Sequence, residues 1–265
     1  MAIAKYFVEF IVYSFLGWIW ECTYCSIKTG HWDNRGFLHG PVVPIYGTGA
    51  VLCSLGFGSL HLFGSSPMPL WQVFVICSVG SAILEYSTSY FLEKRFHAVW
   101  WDYSDVPLNL HGRICLPATL TFGLVGVLLV RFVIPFSETV KIQIPGLLAE
   151  VLALFFMGIL SSDLVLTVQS LTDLAAKLDA AEEEFNATME ARYEKVGETK
   201  QMLSTSVQNA QLRAMNAAKA LSARQSYHLR TIRHFTSDKT TRIGRWLADG
   251  LKKNLPGRKE NKTES

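Results

Sequence analysis

The chain has 265 residues, is 49% hydrophobic and only 18% charged, and carries a formal net charge of +3. Residues 1–169 hold 8 Lys+Arg against 10 Asp+Glu, whereas residues 170–265 hold 17 against 12. An apolar first part joined to a water-compatible second part excludes a single soluble globular domain and puts a membrane–soluble boundary near residue 170.

Five stretches approach the ~20 apolar residues that cross a bilayer. They are residues 6–27, 41–63, 70–92, 114–134 and 144–166. The first has one leading charge (Lys5), contains Glu9 and Glu21, and lacks a small-x-small cleavage site, so it reads as a retained helix and not a signal peptide. Glu9 lies one turn from Lys5 and is expected to pair with it. In the first span Ser14, Gly17, Glu21, Cys25 and Lys28 fall on one helical stripe. In the third, Ser78, Ser81, Glu85 and Ser89 do the same. Small and hydroxyl-bearing residues let membrane helices approach closely, so both stripes are expected to face the bundle interior. Each carries one carboxylate to membrane depth, where it is costly and points to function. The plainer alternative is a tightly packed bundle in which both acids are neutral or paired for structural reasons.

The loops that follow these two spans repeat a pattern. Trp32-Asp33, Asn34, Arg35, His39-Gly40 and Pro41 in the first answer to Trp101-Asp102, Asn109, His111-Gly112, Arg113 and Pro117 in the second. The two halves, 6–63 and 70–134, therefore read as an internal repeat, an arrangement from which transporters build one central site. Turn residues break helix in both loops. Non-helical backbone near a membrane must be buried in protein or line a wet cavity, so the loops are expected to fold back between spans one and three. Arg35 and Arg113 are candidates to neutralise Glu21 and Glu85, within a repeat or across repeats. Ionised acids suit a gate or a reader of substrate charge; unpaired ones suit a proton carrier. Trp100, Trp101 and Tyr103 suit anchoring at the headgroup level.

In the fifth span Glu150 is a lesser buried-acid candidate and Asp163 is expected at the interface. The odd set of five cysteines makes no disulfide framework. Cys22 and Cys25, on a membrane helix, read as small packing residues. With five spans, Lys28, Arg35, Lys94, Arg95, Arg113 and the basic tail share a side, against Lys5, Arg131 and Lys141 on the other. The positive-inside tendency then puts the C-terminus in the cytoplasm and the N-terminus outside.

Residues 170–235 are expected to form one long cytoplasmic helix, partly heptad-like, with Gly197 as its break and coiled-coil pairing into a homo-oligomer as one use of its apolar stripe. Within residues 236–265, Arg242, Arg245, Lys252 and Lys253 surround an apolar face carrying Trp246, a membrane-surface pattern. No nucleic-acid motif accompanies the charge. There is no P-loop, no H-E-x-x-H and no dinucleotide fingerprint, so no cofactor or metal is indicated and nothing argues for a known reaction.

Phe15-Leu16-Gly17-Trp18, Glu21, Asn34 to Leu38, Gly40-Pro41 and Pro44-Ile45-Tyr46-Gly47 make up a first signature. Trp101 to Ser104 with Asn109 to Leu116 make up a second. Together they resemble the bacterial CmpB-like membrane proteins, the family called Putative ABC-transporter type IV, over roughly residues 6–165. The resemblance implies a permease-like subunit served by a separate ATPase chain, although no E-A-A-x-x-x-G coupling loop is present. The resulting expectation is an all-α polytopic protein of the bacterial inner membrane. Residues 1–169 hold five spans and a transport site formed by Glu21, Glu85, Asn34, Arg35, Asp102, Asn109, His111 and Arg113. Two other classes remain open: a membrane signalling scaffold that recruits partners through its tail, and a small membrane enzyme acting on lipid.

Overall fold

The computed structural model describes residues 2–30, 32, 34–59, 68–193 and 221–236. Asp33, Gly197 and the basic residues Arg242, Arg245, Lys252 and Lys253 with Trp246 lie outside the described residues. The chain is mostly helical and divides into two compact units, Met1–Lys94 with Trp100–Leu166, and Arg95–Val99 with Thr167–Ser265.

The first unit is built on α1 (Ala2–Thr29), α2 (Pro44–Cys53), α3 (Leu70–Phe96), α4 (Leu116–Leu128), α5 (Ile134–Gln143) and the first part of α6 (Gly146–Tyr193). Four helices are long and apolar enough to cross a bilayer: Ala2–Ile27, Leu70–Phe96, Leu116–Lys141 and Gly146–Lys177. The expected second span at 41–63 is not among them. Residues 60–63 of that stretch lie outside the described residues, and the loop before it re-enters the protein. It does not leave the end of α1 for water but turns back along the helix, and Val43 N–H donates to the Ser14 carbonyl at 3.0 Å. Ser14 lies ~22 Å back from Thr29 at 1.5 Å per residue. A helix that starts so far down its neighbour needs few residues: α2 runs ten and continues as a π-helical segment, Ser54–Ser59.

α2 and α4 share a construction. Each follows an extended N-cap, carries a proline in its first turn and has no side-chain cap bond. Proline costs nothing there because its missing N–H would have no intrahelical partner. Each then passes into a π-helical segment, Ser54–Ser59 and Leu129–Val133. In the second case Pro135 follows at once, and a π turn relieves the clash of its ring with the carbonyl four residues back.

Each also packs against the long helix before it through a glycine. A Cβ on Gly47 would run into Ser14 Oγ and the Phe10 carbonyl; a Cβ on Gly123 would run into Ser78 Oγ and meet the Phe74 ring at 2.9 Å. A Cβ on Gly126 would strike Cys77. Ser14, Ser78 and Cys77 are buried, whereas Phe15, Ile19, Trp20, Ile83 and Phe91 face outward as lipid-facing residues do.

In the second unit, residues expected within one helix from 170 to 235 do not all belong to it. α6 is continuous to Tyr193. Ser222, however, caps a separate helix, α7 (Ala223–Thr231), through a reciprocal capping box with Gln225. A short strand, β4 (His234–Phe235), then pairs antiparallel with β1 (Ala98–Val99). Capping satisfies N–H groups that a continuous helix would bond internally, so Ser222 marks a beginning. Leu174 and Leu229 are buried together, with Leu221 and Phe235 against them. Lys177 Nζ donates to Gln225 Oε1 at 2.9 Å.

The glycine contacts give a controlled test. Gly47→Ala and Gly123→Ala are each expected to cost roughly 1–3 kcal/mol by overpacking. Gly80→Ala and Gly158→Ala, where a Cβ meets nothing within 4 Å, are expected to be neutral or slightly stabilising because alanine favours helix. Thermal midpoints of the four variants in detergent decide it; equal midpoints would remove the close-approach argument.

Candidate functional site

Glu85 comes from the middle of α3 and Glu21 from two turns before the end of α1, and each is met by a tyrosine from a returning segment. The Tyr46 hydroxyl donates to Glu21 Oε1. Gly17, one turn before Glu21, makes room for it, since a Cβ there would overlap the Tyr46 ring. Tyr46 also packs edge-on against Phe122 of α4, 6.1 Å between centroids. Among the described residues, Glu21 Oε2 has the distant Cys25 thiol as its partner, at 4.0 Å.

Glu85 is 7% exposed. The Tyr103 hydroxyl donates to its Oε1 at 3.0 Å, and its Oε2 is buried without a hydrogen-bond partner. Tyr103 is carried there by a small hairpin, β2 (Asn109–Leu110) paired with β3 (Ile114–Cys115). The turn is set by His111 and Gly112, both at positive φ (54° and 67°). Arg113 N–H closes it on the Leu110 carbonyl at 3.1 Å. Two successive positive-φ residues define the tight turn that suits strand twist, and glycine supplies one of them without strain. Asn109 Oδ1 accepts from Gly112 N–H at 3.0 Å and its Nδ2 donates to the Val106 carbonyl at 2.8 Å. Asp102 Oδ1 accepts from Ser104 N–H and Oγ at 2.9 and 2.6 Å. Tyr103 N–H donates to the Gly112 carbonyl at 2.8 Å. Burial first, then the Glu85 carboxylate, pushes the Tyr103 hydroxyl above its ordinary range, so it stays a donor.

The remaining expected site residues make other contacts. Asn34 Oδ1 accepts from Trp18 Nε1 at 2.8 Å, and Arg35 N–H donates to Cys22 Sγ at 3.3 Å, so this loop lies against α1. Arg113 does not neutralise Glu85. It pairs with Glu93 and lies over the Tyr86 and Tyr90 rings at 5.4 and 5.5 Å. His111 Nδ1 is 3.2 Å from the Tyr86 hydroxyl, in an exposed position. Asp102 and Asn109 bond the backbone of the hairpin. Among the described residues, neither Glu21 nor Glu85 has a Lys, Arg or His in an ion pair.

Three features escaped sequence reasoning. Tyr46 and Tyr103 were legible only as part of P-I-Y-G and W-D-Y-S. Asp163, expected at an interface, holds the first loop: it accepts from His39 N–H at 3.2 Å and Gly40 N–H at 2.9 Å. The third is a second polar cluster. Glu9 is paired not with Lys5 but with Lys141 at 2.8 Å, and Lys141 also bonds Glu138 at 2.7 Å and Ser54 Oγ at 3.1 Å. Lys5 reaches the Lys141 carbonyl instead.

Residues 8–168 match the family model described as Putative ABC-transporter type IV. No curated protein and no solved structure matches the chain.

Removing the Asp163 carboxylate should free the first loop. Leu38 is 1% exposed, so a Leu38→Cys thiol is expected to react slowly with a water-soluble maleimide. Adding Asp163→Ala is expected to raise its labelling rate by roughly the population factor of a lost charge-assisted bond, about tenfold or more for 1.5–3 kcal/mol. An unchanged rate would show that Asp163 does not hold the loop.

Proposed function

The chain belongs to the Putative ABC-transporter type IV family, and on that premise we propose that it is a permease-like transport subunit whose site is the paired carboxylates Glu21 and Glu85. The observation that carries this reading is their arrangement. Two acids on two long apolar helices are each bonded by a phenol from a segment that returns into the protein. Intramembrane acids cost free energy that packing alone does not require.

An internal repeat is part of the proposal. Phe10, Ser14 and Glu21 correspond to Phe74, Ser78 and Glu85 at one constant offset along α1 and α3. The glycines that touch them, Gly47 and Gly123, stand one residue after Tyr46 and Phe122, which contact each other. Repeat halves that meet around a central site are the usual plan of secondary transporters and suit access from alternating sides. The basic residues Lys94, Arg95 and Arg113 then favour a cytoplasmic position for the loops and the C-terminal part, with the N-terminus outside, in a bacterial inner membrane.

In this reading the acids stay fixed on α1 and α3 while the tyrosines are withdrawn and returned by loop motion. Withdrawal strips each carboxylate of its donor and raises its demand for an incoming one. Since the chain has no P-loop, ATP-driven motion would come from a separate ATPase docked on the loops or the tail, and two copies of the chain would complete the assembly. Asn34, Arg35, Asp102, Asn109, His111 and Arg113 act on the site through the loops that position the tyrosines.

Two measurements test this. Tagged protein cross-linked in native membranes and then extracted is expected to bring down a stoichiometric P-loop ATPase; its absence would remove the ATP-coupled form of the proposal and favour a scaffold or enzyme. The Glu21→Gln/Glu85→Gln double variant is expected to insert and fold normally yet fail to complement the phenotype of a deletion strain. Full complementation would refute the site.

A further inference from the structure

His97 follows α3 directly and takes a left-handed φ of 50°, turning the chain into β1. A non-glycine residue in that region is strained and persists where its surroundings hold it. Here the C-terminal segment does the holding. β4 pairs antiparallel with β1, Ala98 opposite Phe235 and Val99 opposite His234. Two further bonds flank the ladder: Thr236 N–H donates to the His97 carbonyl at 2.7 Å, and Arg233 N–H donates to the Val99 carbonyl at 2.6 Å. A ladder this short is marginal by itself. It is backed by packing, since Ala98 and Ile232 are buried and Phe235 lies against the Leu174–Leu229 pair.

The residues that follow β1 in the chain give this contact its reach. Trp100, the next residue, is buried and meets the Phe37 ring edge-on, 5.4 Å between centroids. Phe37 belongs to the first returning loop and stands two residues before His39, whose N–H is held by Asp163. Trp101 donates its indole N–H to the Arg113 carbonyl at 3.0 Å, so the stretch after Trp100 lies on the hairpin. Tyr103 comes four residues after Val99, at most ~14 Å of fully extended chain. Trp100 thus touches the first loop, leads into the second, and follows directly on the strand that the C-terminal segment pairs with.

We propose that residues 232–236 form a strap whose pairing with β1 holds Trp100 in place, so that peeling the strap away releases both returning loops together. Few bonds are exchanged when so short a strand leaves, and an edge freed in this way accepts the same strand back without rearrangement elsewhere. The consequence for transport rests on the reading given above and adds its regulation: whatever engages the tail acts on the tyrosine-bearing loops through this strand, with no contact to either carboxylate.

The test uses proline, which deletes a backbone N–H donor, in the full chain in phosphatidylcholine nanodiscs. Thr236→Pro and Arg233→Pro each remove one flanking bond, whereas Thr236→Ala and Arg233→Ala keep it. The first loop is read by maleimide labelling of Leu38→Cys and the hairpin by labelling of the native Cys115, which is buried on β3, with each site resolved by peptide mass spectrometry. Both proline variants are expected to raise both rates by about fivefold or more, the population factor of one lost backbone hydrogen bond. The alanine variants are expected to label at the parent rate. Cys77, buried where α3 meets Gly126, reports the helix packing and is expected not to change. In a Trp100→Ala background the Leu38→Cys rate is expected no longer to respond to Thr236→Pro, while Cys115 still does. Unchanged rates in both proline variants, an equal rise with alanine, a rise at Cys77 in step with the others, or a rise confined to Cys115 each overturns the strap. Complementation of the deletion strain separates this result from the transport reading. Loops released in Thr236→Pro with full complementation leave the strap standing and remove the loops from transport. Unchanged labelling, with complementation still lost in Glu21→Gln/Glu85→Gln, leaves the transport site standing and removes the strap.

Discussion

A carboxylate surrounded by apolar side chains must be given hydrogen-bond donors, and much of this structure follows from how three such acids get them. Glu9, Glu21 and Glu85 all sit on long helices whose outer faces are apolar. Glu9 receives the Lys141 ammonium from α5. Glu21 and Glu85 receive neutral phenols. Glu9 and Glu21 are ~18 Å apart along α1, so one helix carries both solutions. A buried acid bonded to a fixed ammonium is a closed electrostatic unit, because removing either partner strands the other at a cost of several kcal/mol. An acid bonded by a neutral hydroxyl keeps its charge or its appetite for a proton uncompensated. The first arrangement suits structure and the second suits exchange with something that arrives.

Delivering those phenols dictates the loops. Tyr46 and Tyr103 stand shortly after helices that end well beyond the acids they reach, so the chain has to come back. The first loop returns to the level of Ser14 and is tied down by Asp163 through the His39 and Gly40 N–H groups. The second uses a hairpin, with Asn109 and Asp102 bonding the backbone that presents Tyr103. Returning backbone must have its own polar groups satisfied inside protein, and these side chains do that. The glycines are the steric counterpart: Gly17 admits the Tyr46 ring, and Gly47 and Gly123 let the helices that follow the loops lie directly on the hydroxyl stripe of their neighbours.

The sequence makes the long apolar helices and the inward stripes readable because both depend on hydropathy and on a period of three to four residues. Glu21 and Glu85 stood out on that basis. Partners set by distant chain segments were not readable. Local spacing favoured Lys5 for Glu9, whereas the structure supplies Lys141, 132 positions away. Charge matching favoured Arg113 for Glu85, but Glu93 and two tyrosine rings on α3 hold that guanidinium. Hydropathy likewise carries no record of where the loop before residues 41–63 re-enters the protein. The start of α7 was readable in principle. Ser222 and Gln225 stand at capping-box spacing, a signal outweighed by the helix-forming composition around it.

The division of labour between rigid helices and returning segments bears on mechanism. The acids are held by α1 and α3, each an uninterrupted helix of 28 or 27 residues. Their donors ride on segments that also contain turns at positive φ and that lead into helices with π-helical segments. Such segments mark where a helix changes its hydrogen-bond register at modest cost, and they recur at functional sites. On the proposed transport reading the donors shift while the helices bearing the acids stay in place, and the change is large in free energy for a small displacement, because a hydrogen bond to a carboxylate is lost steeply with distance and angle. A transport cycle built on this pair needs no rearrangement of the bundle at the acids themselves. It needs two loops whose anchoring, through Asp163 in one and the Asn109 hairpin in the other, is firm enough to hold a closed state and small enough to release.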